Sequence, residues 1–224
     1  MDTPLDAPKT RDPARTRERI LDAAQALILD HGFGATTVDA VAGRAGITKG
    51  AFFHHFASKG DLARALVDRY AILDREHLEE TLARAEKLAT DPLQQVLILI
   101  ALYEEEFEAM DEPFPGCLFA SYIYENKLFD AATIGVLRES TLLWRRVMLA
   151  KLEEVAAVHP PRQAVDMESL ADLFYSLSEG AFVMTKTLGD KTLLARQARH
   201  LRTYLELLFA PGDRGEALRP APPS

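Results

Sequence analysis

The stretch from Thr36 to Phe56, TTVDAVAGRAGITKGAFFHHF, constrains this chain more than any other, because it reads as two short helices joined by a tight turn. Val38, Val41, Ala42 and Ala45 recur at i, i+3, i+4 and i+7, which predicts one buried face on the first helix. Gly46 then supplies the permissive backbone that a sharp reversal needs. Thr37 and Thr48 stand where N-caps belong, since their hydroxyls can accept from the first unpaired amides of a helix. In the second helix Phe52 and Phe56 fall four apart on the buried side. Lys49, Gly50, Ala51, Phe53, His54 and His55 are left on the side that a nucleic-acid duplex can approach.

The remaining pattern is helical, with no alternating β periodicity and no internal repeat. A first helix from about Ala14 to His31 is expected to bury Ile20, Ala23, Ala24, Leu27 and Ile28 and to stop at Gly32, with Phe33 packing back on it. Ser58 and Asp61 have capping-box spacing and start a long helix, 58–89, carrying Leu62, Ala65, Leu66, Leu73 and Leu82. Asp91-Pro92 opens the next helix, to about Met110, with Val96, Leu99, Ile100, Tyr103 and Phe107 on its apolar face and Glu104, Glu105, Glu106 and Glu108 expected in solvent. After the break DEPFPG come a helix over Cys117 to Asn126, another from about Asp130 to Val158, and two more at 166–188 and 191–209.

Composition sets outer limits. The chain has 224 residues and a mean hydropathy of −0.08, ordinary for a soluble globule with one or two cores. A single cysteine, Cys117, rules out an internal disulfide and argues against a structural zinc site; no metal and no cofactor are expected. Met1 to Arg19 lacks the apolar core of a secretory signal, and the longest apolar run, Val96 to Leu102, is too short to span a bilayer, so a cytoplasmic protein is expected. The net charge of −8 looks wrong for a nucleic-acid binder until it is divided. Residues 1–60 carry eight Lys/Arg against seven Asp/Glu, whereas the rest carry 18 against 27. Lys9, Arg11, Arg15, Arg17 and Arg19 form a local cationic patch fit to neutralise phosphates.

Thr36-Thr37, Arg44-Ala45-Gly46, Thr48-Lys49-Gly50, Phe52 to Phe56 and Ser58-Lys59 together closely resemble the hallmark of the TetR/AcrR family of bacterial transcriptional regulators, over roughly residues 15–75. The resemblance implies an all-α fold: an N-terminal three-helix helix-turn-helix DNA-binding domain (14–76) and a C-terminal helical-bundle domain for ligand binding and dimerisation (77–210). A disordered basic leader (1–13) and a disordered tail (211–224) flank them. Phe53 departs from the family's usual tyrosine, so a hydroxyl that relatives typically bond to a phosphate is missing while the ring's packing is kept.

The expected roles follow residue by residue. Thr37 can donate to a phosphate beside the positive end of its helix, and Lys49 can reach a guanine edge or a phosphate. Gly50 allows close approach, and the Ala51 methyl can meet a thymine methyl. By the family match His54, His55 and Lys59 are phosphate contacts, either histidine being otherwise a packing residue; Arg44 acts similarly or only solvates its helix. The partners implied are a double-stranded operator, a second copy docked through helices 166–188 and 191–209, and an unidentified small, largely apolar effector; no membrane is implied. Tyr103, Phe107, Phe119, Tyr122, Trp144, Met148, Phe174 and Phe182 are candidate effector walls or plain core, and Glu125 and Glu179 are either cation-attracting or solvated. An enzyme is not expected, because no nucleophile elbow, HExxH or phosphate-binding glycine loop occurs. A ligand-independent DNA-organising protein, the alternative, needs a broadly basic surface that the acidic second half does not offer.

Overall fold

A computed structural model describes residues 12–209. The leader and tail expected at 1–13 and 211–224 fall outside the described residues apart from Asp12 and Pro13, and so do Lys9 and Arg11 of the cationic patch. Among the described residues the secondary structure is entirely helical: α1 (Pro13–His31), α2 (Val38–Ala45), α3 (Lys49–His55), α4 (Lys59–Leu88), α5 (Pro92–Glu108), α6 (Leu118–Tyr124), a 3-10 turn (Asn126–Leu128), α7 (Ala131–Val158), α8 (Met167–Leu188) and α9 (Leu193–Phe209). The ends are written in local chemistry. Asp12, Asp91 and Asp166 each accept from the first amides of the helix they precede, and Pro13 and Pro92 occupy the first turn, where a missing N–H costs nothing.

The helices form two compact units, and the division does not follow the chain as a single cut. The first unit runs to Tyr70 and takes back Leu118–Leu137, so α6, the 3-10 turn and the start of α7 share a unit with α1 to α3, and α6 packs on α1. A boundary near residue 76 accounts for the first crossing only, because no sequence period reports that a later segment returns. Ile20, Leu21, Ala24 and Ile28 of α1, Phe52 and Phe56, Leu62 and Leu66 of α4, and Leu118 and Tyr122 of α6 are all buried here. Leu27 is only half-buried, and Leu21 and Leu29 stand inside in addition to the expected stripe.

Among the described residues the second unit comprises 71–117 and 138–209. Its core joins Leu78 and Ala85 of α4 to Val96, Leu99 and Ile100 of α5, Met148, Leu152 and Val155 of α7, Leu170 and Phe174 of α8, and Leu201 and Leu205 of α9. Two expectations are corrected. Leu73 is exposed, and along this part of α4 the buried apolar residues are Ala71, Leu78 and Ala85, seven apart, with Thr81 buried between the last two. Glu104 is not solvated: it lies one turn beyond Ile100 on the face of α5 packed on α9, where Arg199 reaches Oε1 at 2.6 Å and Arg202 reaches Oε2 at 3.3 Å. A carboxylate on a buried helical face is tolerated there because two guanidiniums replace its water.

Candidate nucleic-acid interface

The reading element is built by local rules acting at each residue. Thr37 Oγ1 accepts from Ala40 N at 3.1 Å and starts α2; Gly46 ends it in the left-handed region at φ 65°. Ile47 N then bonds back to Ala42 O at 3.0 Å, closing the α2 C-terminus. Thr48 Oγ1 accepts from Ala51 N at 3.1 Å and starts α3. Val41, Ala42, Ala45, Phe52 and Phe56 are buried as their spacing predicts, whereas Val38, at the first turn of α2, is only half-buried. Arg19 of α1 donates to the carbonyls of Ala45 and Gly46, and Arg17 lies over the Phe56 ring at 5.2 Å, so both arginines brace the motif from below.

Outward, Lys49, Gly50, Phe53 and His54 are exposed while Ala51 and His55 are half-buried. Lys49 is held by Asp39 at 3.0 Å, an exposed pair worth little and readily exchanged for a phosphate. Arg44 is exposed beside Asp30 at 3.9 Å. Phe53 sits edge-on against Phe52 with centroids 5.3 Å apart, keeping the packing expected of the ring. A Cβ added at Gly50 would meet nothing nearer than Thr48 Oγ1 at 3.9 Å, so the fold places no demand for glycine there.

Lys59 is placed differently from the residues of α3. Its ammonium donates to the Phe33 and Gly34 carbonyls of the α1–α2 turn and lies 4.1 Å above the Phe33 ring, and burial holds its pKa below the ordinary lysine value against the pull of Glu125. A phosphate at Lys59 has to compete with those carbonyls. Sequence reasoning missed Glu125 here, because its partners lie about ninety residues earlier in the chain.

The geometry has close parallels. Residues 20–66, which contain α2 and α3 entire, match the family described as "Bacterial regulatory proteins, tetR family". This segment is the helix-turn-helix domain of that family. It is 27% identical to the transcriptional regulator AcuR of Cereibacter sphaeroides across 78% of each chain. It is 33% identical to the transcriptional repressor KstR2 of Mycolicibacterium smegmatis across 47% of this chain and 48% of that one, so it spans about half of that relative's length. A TetR transcriptional regulator from Chloroflexus aurantiacus J-10-FL superposes with a TM-score of 0.71 at 25% identity, covering 89% of this chain and 98% of the other.

The structure sorts the candidate wall residues between the two units. Phe119 and Tyr122 belong to the core of the first unit: Phe119 packs on Tyr70, and Tyr122 stacks on Phe129 at 4.2 Å and donates to Ala63 O at 3.2 Å. Burial pushes the Tyr122 hydroxyl up. Met148 and Phe174 are core of the second unit. Trp144, Tyr103, Phe107 and Phe182 form a continuous ring-to-ring chain with centroid separations of 6.0, 6.2 and 6.5 Å, and Phe182 stacks on Phe114 at 4.4 Å. Trp144 Nε1 donates to Asp74 at 2.8 Å, and burial holds the Asp74 carboxyl above its ordinary value. Glu179 is raised likewise by burial, while hydrogen bonds from Cys117 and Tyr175 favour its charged form. Glu125 lies in the first unit, apart from this cluster. Among the described residues no group of His, Cys, Asp and Glu is arranged to hold a metal ion, and no helix is long and apolar enough to cross a membrane.

Proposed function

We propose that this chain is a transcriptional repressor that binds a palindromic operator as a homodimer and is released by a small, largely apolar effector held in the second unit. The observation that carries the reading is the α2–α3 element, whose capped second helix leaves Lys49, Gly50 and His54 exposed while Phe52 and Phe56 are buried beneath them. One such head touches too few phosphates to bind tightly, and a twofold pair reads two half-sites. The pairing surface is the outer side of α8 and α9, where Val183, Met184, Leu188, Tyr204 and Leu207 remain exposed although their helices' inner stripes are buried. Gly180 leaves open space around its Cα on α8, which suits close approach of a second helix. The effector walls are Trp144, Tyr103, Phe107 and Phe182, joined by Phe114. Thr37, Thr48, Lys49, Gly50, Ala51, His54 and His55 contact the operator, with Phe53 and Arg44 at its border, and the protein acts in the cytoplasm.

Footprinting the purified chain on the DNA flanking its own gene tests this. A short palindromic footprint is expected, with affinity falling by roughly 10³–10⁵ between about 50 and 200 mM salt for a dimer making about 6–10 phosphate contacts. Extended coating of any duplex would overturn it in favour of a DNA-organising protein.

A further inference from the structure

The turn Gly32-Phe33-Gly34 is a two-amide cradle filled by a carboxylate from a distant part of the sequence. Glu125 Oε1 accepts from Phe33 N at 2.6 Å, and Oε2 accepts from Gly34 N at 2.7 Å. Both flanking glycines make room for it. A Cβ on Gly32 would fall 2.7 Å from Oε1, and one on Gly34 would fall 2.8 Å from Oε2. Lys59 grips the opposite side of the same turn through the Phe33 and Gly34 carbonyls. One anion thereby holds the Phe33 and Gly34 amides and one cation reaches their carbonyls.

What the cradle holds is the entrance to the reading element. Thr36, buried, donates through Oγ1 to Gly32 O at 2.8 Å and through its amide to Phe33 O at 3.2 Å. The next residue is Thr37, the cap of α2. Hydrogen bonds therefore join carboxylate, turn and Thr36, the Thr36–Thr37 peptide bond continues them into the cap of α2, and α2 carries α3 through the turn at Gly46. We infer that Glu125 is a positioning residue for operator reading: it touches no DNA, lies outside residues 20–66, and sets the register in which α2 and α3 are presented. Charge-assisted bonds to two adjacent amides suit this, since they fix the peptide planes in direction as well as in distance. The inference rests on the reading of α3 as the operator-binding helix.

The test uses the full chain and a duplex that the wild-type protein selects from a random library. Glu125→Gln keeps one acceptor and turns an amide toward the other N–H. Gly34→Ala leaves an allowed backbone and puts a methyl 2.8 Å from Oε2, so the carboxylate must shift. Each is expected to weaken binding roughly tenfold with an unchanged salt slope, because no phosphate contact is lost. The double variant should be no weaker than the worse single, since both break one interaction. The Phe33 and Gly34 amide proton resonances should move upfield in Glu125→Gln. A residue that merely supports the fold lowers the melting temperature and leaves the affinity of the folded protein untouched; that result, or a shallower salt slope, overturns the inference. If Glu125→Gln fails to fold, Gly34→Ala carries the same measurement. A wild-type chain that selects no duplex removes the parent reading, an outcome distinct from variants that bind as tightly as wild type.

Discussion

Gly50 offers the sharpest separation between what the fold needs and what DNA needs. It is exposed in the first turn of α3, its φ is not positive, and an added Cβ has only Thr48 Oγ1 in reach, at 3.9 Å. Gly50→Ala should therefore leave the chain as stable or make it more so, by up to about 0.8–1 kcal/mol from helix propensity, and less this close to a terminus. Operator binding should respond in the opposite sense. If the backbone at Gly50 lies against the duplex, a methyl there is an overpacked contact costing about 1 kcal/mol per head, near the lower end of the usual range. A dimer carries two heads, so the loss is about 2 kcal/mol, or roughly 30-fold in Kd. Thermal unfolding and operator titration on the same preparation give both numbers. Gly46→Ala is the control: φ 65° is strained for alanine, so stability should fall by about 1 kcal/mol or more. A Gly50→Ala protein that binds its operator like wild type would refute close approach of this helix end to DNA.

Lys49→Ala should weaken specific binding by about 1–3 kcal/mol if the ammonium reads a base edge, measured against a scrambled duplex; equal loss on both makes it a phosphate contact. Met184→Glu, on the exposed side of α8, should yield a folded monomer by sedimentation with its stability changed by no more than about 0.5 kcal/mol, and a persisting dimer would move the interface elsewhere. Asp74→Asn should raise the melting temperature at neutral pH. Burial holds the Asp74 carboxyl above 3.8, so the folded state keeps its proton more firmly than the unfolded chain; this group's contribution to stability falls as pH rises from the unfolded value through the folded one. The facing groups are Trp144, His77, Tyr103, Tyr175 and Glu179. The variant's advantage should shrink as the solution is acidified toward 3.8, and an advantage independent of pH would refute burial as its cause.

The reading element was legible because every instruction for it is local. Thr37 and Thr48 cap helices that begin at the next residue, Gly46 turns a helix it directly follows, and Phe52 and Phe56 sit one turn apart. The same holds for Asp91-Pro92 and Asp166, whose carboxylates reach amides two or three residues on. The misreadings share an opposite cause. Leu73 fits an apolar stripe and is exposed, and Glu104 fits a charged run and is buried, since which side of a helix is covered depends on what arrives later in the chain. Phe119 and Tyr122 have the chemistry of pocket walls and are packed in the first unit.

Sequence by itself determined the helices found among the described residues, their approximate starts and stops, and a motif whose polar residues face out, because caps, glycine conformations and helical period act within a few residues. Tertiary structure alone decided that Leu118–Leu137 packs beside α1, that Arg199 and Arg202 neutralise Glu104, and that Glu125 closes on the turn at Phe33. A carboxylate carries the same charge wherever it stands in a chain, and its role is fixed only when folding brings an amide or a guanidinium within about 3 Å of it.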